Sequence, residues 1–189
     1  MAGEDIDVIQ KNAPSAFFDL KTRRLIIPNW NNLSVTEEEM LVGHEIGHAL
    51  HTPLKEWQET IDNFDGNKVV IKNVLNVVED ARIERLVKTK YPGMRSIFYH
   101  GYEELFSRGI FKLEEIKPEE TTILEHLNWH YKIPGKTSFV KTPEFDYFVG
   151  KIDSVVSFND VVNVSKELYA FCKQELDKQL SESSSKGQK

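Results

Sequence analysis

The stretch SVTEEEMLVGHEIGHALH, residues 34–51, decides how the rest of the chain is read. It opens with a helix start. Ser34 stands three residues before Glu37, and Thr36 three before Glu39. Either pair can form a reciprocal cap, the hydroxyl accepting an amide while the carboxylate reaches back. Pro53 stops the helix, so the spacing predicts a span from about Val35 to His51. Val42, Ile46, Ala49 and Leu50 recur at helical spacing and should face a core. That leaves His44, Glu45, His48 and His51 on the other side. Gly43 and Gly47 interrupt the helix, at about 1 kcal/mol each, so their presence calls for another element passing close by.

His44, Glu45 and His48 form an H-E-x-x-H pattern on this helix. Histidines four apart lie one turn above each other on one face, so two imidazoles can converge on one metal ion. Glu45 lies on the adjoining edge, where it can act as general base toward a water that a zinc ion acidifies. This is the arrangement expected of a zinc peptidase. The plainer alternative is a solvent-facing helix with two ordinary histidines. A catalytic zinc needs a third protein ligand. The place to look is the stretch NVLNVVEDARIER, residues 73–85, within a second long helix expected over Lys68 to Lys90. Glu79 is the first acidic residue in an apolar run, and a carboxylate there is costly unless paired or metal-bound. Glu79 is therefore the expected third ligand, with Asp80 and Glu84 as rivals. Asp80 and Glu84, four apart on one face, can equally be supporting partners. Asn76, one turn before Glu79, is a candidate to hold that glutamate or a histidine in place, and Arg82 to pair with Glu79 or a substrate carboxylate. His51 reads as a neighbour of the site rather than a ligand.

Farther out, Phe17 to Leu20 and Leu25 to Ile27 are two short apolar runs around Lys-Thr-Arg-Arg, the signature of two strands joined by a turn. Pro28 stops the second strand or marks it as an edge. Residues 54–67 read as a loop with a helical turn at most. Further helices are expected near Ser96–Arg108, Pro118–Tyr131, Pro143–Gly150 and Phe158–Leu180. Tyr99, His100 and Tyr102 follow the ligand helix and are candidates for steadying an oxyanion. So, more weakly, are His126 and His130, four apart on their own helix. The fold class expected is α+β: a short N-terminal β-sheet plus mostly α-helices. One domain over residues 1–180 is expected, with a motif-bearing core at about 16–102, a helical part at 103–180 and a disordered tail at 181–189.

Composition excludes several classes. The 24 basic and 30 acidic residues leave a net charge of -6, which disfavours non-specific nucleic-acid binding. No apolar run approaches the ~18 residues of a membrane span. The single cysteine, Cys172, has no internal partner for a disulfide. That, and an N-terminus without the pattern of a signal peptide, suggests a reducing, cytoplasmic setting.

HEIGHALHTP followed by NVVEDARIE and YPGMRSIFYHGYEEL resembles the gluzincin side of the zincin metallopeptidases. More narrowly it is similar to the H-E-x-x-H peptidase-like proteins of phages and bacteria. Those are often linked to a von Willebrand factor A (CobT-like) domain and paired with a MoxR/CobS-type ATPase. The resemblance covers about Phe17 to Tyr102. It implies a small zincin-like (minigluzincin) domain, a Zn2+ cofactor and an endopeptidase acting on a polypeptide substrate. It carries the family pattern onto His44, His48 and Glu79 as metal ligands and Glu45 as the catalytic base. It also implies an AAA+ ATPase or A-domain partner, and a phage-infected host cytoplasm as a setting. The chain departs from the pattern in lacking Glu-x-x-x-Asp, since position 83 is Ile. A catalytically weak interaction module working beside the ATPase is the alternative function.

Overall fold

Leu25, Ile26 and Ile27 are all buried, the pattern of a strand covered on both sides. They belong to β3 (Arg24–Pro28), the middle strand of a three-stranded sheet in the computed structural model. The structure describes residues 7–13, 16–19, 21–29, 33–109, 121–133, 135 and 142–186, with side chains as far as 178. β2 (Phe17–Asp19) runs antiparallel to β3 with Phe18 opposite Leu25. β1 (Asp7–Lys11) runs parallel to it on the other side, Ile9 opposite Ile26. The turn between β2 and β3 is held by Asp19, whose Oδ1 accepts the amides of Lys21 and Thr22. Pro28 ends the central strand rather than marking an edge. β1 escapes the sequence reading because only Val8 and Ile9 of its five residues are apolar. As an edge strand it has little to bury.

Among the described residues seven helices follow, so the architecture is α+β. α1 (Val35–His51) begins as expected. The Ser34 hydroxyl accepts the Glu37 amide at 3.0 Å, and Glu37 accepts the Ser34 amide at 2.8 Å. α2 (Leu54–Asp62) occupies the stretch expected to be a loop. Its Trp57 and Ile61, one turn apart, rest against the main core, and that packing sustains a helix too short to persist alone. α3 (Lys68–Lys90) is capped by Asn67, which accepts two amides. Its β-branched residues do not unmake it, because twelve of its side chains are buried. α4 (Met94–Ser107), α5 (Ile123–Lys132), α6 (Pro143–Asp153) and α7 (Phe158–Lys186) complete the order. α7 carries on through residues 181–186, expected to be tail, since extending a helix costs far less than starting one. Residues 187–189, Leu20 and the 118–120 start of one expected helix lie outside the described residues. None of the described helices is long and apolar enough to cross a membrane.

Three clusters of buried side chains each draw on α1, on α3 or on both. Ile71, Leu75 and Val78 of α3 meet Leu127, Phe148, Ile152 and Leu168 from α5, α6 and α7. Met40 of α1 and Val87 of α3 meet Phe98 and Leu105 of α4 and Trp129 of α5. Phe18, Leu25 and Ile27 cover Ala49. α1 is thus enclosed on more sides than its apolar spacing predicts, and Leu50 is exposed instead of buried. The two glycines have the reason anticipated for them. A Cβ on Gly47 would stand 2.8 Å from Ile83 Cδ1, and one on Gly43 would run into Met94. Their absence lets α3 and α4 close on either side of the histidine helix.

Candidate metal centre

The close approach at Gly47 sets α3 directly across from the histidine face of α1. His44 and His48 sit one turn apart, ring centroids 4.9 Å from each other. Opposite them Asp80 presents Oδ1, 3.1 Å from His48 Nε2 and 3.7 Å from His44 Nε2. One ligand atom from each residue lies within 4.8 Å of the others. The far nitrogens are tied back. His44 Nδ1 is 3.0 Å from Glu84 Oε1, and His48 Nδ1 is 3.0 Å from Thr52 Oγ1.

Those ties fix the tautomers. An ionised Glu84 can only accept, so His44 Nδ1 donates. Thr52 gives its hydroxyl proton to Glu79 Oε1 at 2.6 Å, so its oxygen accepts from His48 Nδ1. With Nδ1 donating on each ring, both Nε2 atoms are aimed at the place where a carboxylate oxygen also points. A cation between them, proton or metal ion, satisfies all three. A metal ion fits this donor set, with each histidine oriented by a group behind it. The same pull acts on protons. Burial alone would lower the His44 pKa, but the facing Asp80 and the Glu84 hydrogen bond outweigh it and the value is raised. Burial likewise pushes Asp80 up. Lys132 and the two histidines hold it far below the usual carboxylate range.

The other candidates fall into place around this group. Glu84 takes a 2.5 Å hydrogen bond from Tyr102 and an ion pair with Lys88 at 2.8 Å. Burial raises the Glu84 pKa, but His44 and Lys88 bring it below the ordinary value. Burial and the Glu84 charge hold the Tyr102 phenol well above its own. Tyr102 thus stands behind Glu84, which in turn stands behind His44. Asn76 Nδ2 donates to Asp80 Oδ2 at 3.3 Å, where Glu79 or a histidine was the partner expected for it. Glu45 is buried, and its Oε2 accepts the Phe18 amide at 2.7 Å. Tyr99 and His100 are exposed on α4. His126 meets Thr121, and His130 packs on Tyr131 and Phe145. None of these four belongs to the group of three.

Glu79 is not brought to the histidines, and Asp80 stands where it was expected. Fully buried, Glu79 accepts from Arg82 Nη2 at 2.7 Å and Nε at 2.8 Å, besides Thr52. Arg82 Nη2 also donates to the His51 carbonyl at 2.7 Å. Neighbouring residues on a helix point about 100° apart, so only one of the two carboxylates can look at the histidines. His51 lies outside the group, its pKa lowered by burial and by Arg82 and Lys90. One residue of the centre carried no recognisable signal. Lys132, in the last turn of α5, places Nζ 3.0 Å from Asp80 Oδ2. A lysine closing a helix is commonplace, and nothing local marks this one. Comparison with known proteins finds no match: no family model, no curated protein and no solved structure matches the chain.

Proposed function

We propose that the protein is a zinc-dependent hydrolase of peptide bonds, with His44, His48 and Asp80 holding the ion and Glu45 as general base. The observation that carries this reading is the convergence of two Nε2 atoms and one carboxylate oxygen, with both Nδ1 atoms tied back. Two nitrogens and one oxygen suit zinc and leave a fourth position open. Bound there, the ion would polarise a carbonyl and acidify a water. The chain's own residues supply the rest. Glu84 with Tyr102, and Thr52 with Glu79, keep the two rings from turning. The Phe18 amide fixes one oxygen of Glu45 and leaves the other to take a proton. Because Phe18 spends its amide on Glu45, its strand's outer edge faces the base. A peptide running beside that edge would bring its carbonyls past the centre. Asp80 and Glu84, four apart, fill the ligand and support roles that zincins give to Glu-x-x-x-Asp, with the acids exchanged. A cytoplasmic setting and a polypeptide substrate belong to this reading.

A second reading has support from the same contact. A Glu45 strapped to β2 also serves as a strut, which suits an interaction module beside an AAA+ ATPase or A-domain partner, with the metal kept for stability. Metal content and casein hydrolysis, measured together on wild type, Glu45→Gln, Asp80→Ala and Glu79→Ala, separate the two. The hydrolase reading requires about one zinc per chain in wild type and Glu45→Gln, none in Asp80→Ala, and cleavage only where Glu45 is intact. Full activity in Glu45→Gln would sink the base role. Zinc without cleavage would favour the module, and wild type without zinc would end both.

A further inference from the structure

Lys132 belongs to neither the ligands nor the supports behind the histidines, yet it sits at the heart of the centre. Asp80 divides its two oxygens. Oδ1 faces the histidines, while Oδ2 takes Lys132 at 3.0 Å and Asn76 at 3.3 Å. The lysine side chain is 18% exposed. Around it stand the carboxylates of Asp80, Glu84 and Glu45, each no more than 8% exposed. Lys88, bound to Glu84, is the other cation of this set. Three carboxylates face two lysines there, an excess of one acid over the lysines. Without Lys132 the excess would be two, and buried unpaired charge is costly.

We propose that Lys132 is a resident cation that shares the centre with the metal ion, holding the site together in the metal-free chain and thereby loosening the ion's grip. This rests on the metal reading above. The affinity for an ion is the difference between the filled and the empty site. Lys132 stabilises the empty site, where it is the nearest positive charge to Asp80. In the filled site its charge stands beside a dication that shares the same carboxylate. The centre is therefore built to load and unload rather than to depend on metal for folding, as small zinc domains do.

The test compares wild type, Lys132→Met and Lys132→Arg in the whole chain. Each is melted in chelator and in excess zinc, and zinc affinity is measured by competition with a chromophoric chelator. Lys132→Met is expected to melt lower than wild type without metal. It should hold zinc at least about tenfold tighter, a change of the size exerted by groups behind metal ligands, and gain more from zinc in melting temperature. Lys132→Arg, which keeps the charge, should stay near wild type in both. A Lys132→Met chain that folds only with zinc is the same result in a stronger form. Should it fold in neither condition, Lys132→Gln makes the comparison. Wild-type zinc binding with equal or weaker binding in the neutral variant overturns the inference and leaves the metal reading standing. Wild type that binds no zinc removes the metal reading and the inference with it.

Discussion

Two sides of one helix answer the same physical problem differently. Glu79 and Asp80 are consecutive, both buried, and both would be expensive if left alone. On the Glu79 side the charge is closed off by Arg82, two hydrogen bonds at 2.7 and 2.8 Å, with Thr52 on the same carboxylate. On the Asp80 side the partners are Lys132, Asn76 and the Nε2 atoms of His44 and His48. One side is finished by the polypeptide. The other keeps a donor set that could hold a metal ion. A buried carboxylate is therefore not in itself the mark of a metal ligand. The test is whether its neighbours have already used up its charge.

That contrast can be broken by experiment. The largest effect should come from Arg82→Met, which leaves Glu79 buried and unpaired. A loss of about 3–5 kcal/mol in urea unfolding is expected, with zinc affinity unchanged in the folded fraction. Next comes Asp80→Asn, which should weaken zinc on the order of a hundredfold or more, beyond the effect of losing a supporting group. Glu79→Gln should leave zinc within a few-fold while lowering stability. Equal zinc losses in these two would erase the distinction between the sides. Thr52→Val strikes both, since this hydroxyl accepts from His48 and donates to Glu79. It should cost about 1.5–3 kcal/mol and about tenfold in zinc affinity, read by melting and chelator competition on one sample. Tyr102→Phe is the mildest. It removes only the hydroxyl that donates to Glu84, and a zinc loss of about tenfold or less is expected.

Much of this was legible from the chain. Ser34, Glu37 and Pro53 bounded α1. α3 was expected over Lys68 to Lys90 and spans those residues. Gly43 and Gly47 announced close neighbours, and the two histidines announced a site. Choosing between Glu79 and Asp80 was beyond local reading. Both are acids in an apolar run, and the choice depends on how α3 is turned about its axis relative to α1, which distant packing at Gly47, Ile83 and Val87 decides. Lys132 was hidden for the same reason, since only tertiary structure brings α5 to Asp80. β1 and α2 were missed because the one buries little and the other relies on Trp57 and Ile61 reaching a core built by later helices.

α3 is buried along most of its length and touches every other described helix. Its amide hydrogens in the stretch around Asp80 and Glu84 can meet solvent only when the molecule as a whole comes apart. An ion held there would slow hydrogen exchange in helices remote from it, α7 included, by one common factor instead of quieting a local patch. Exchange rates far from the histidines would then report how full the centre is.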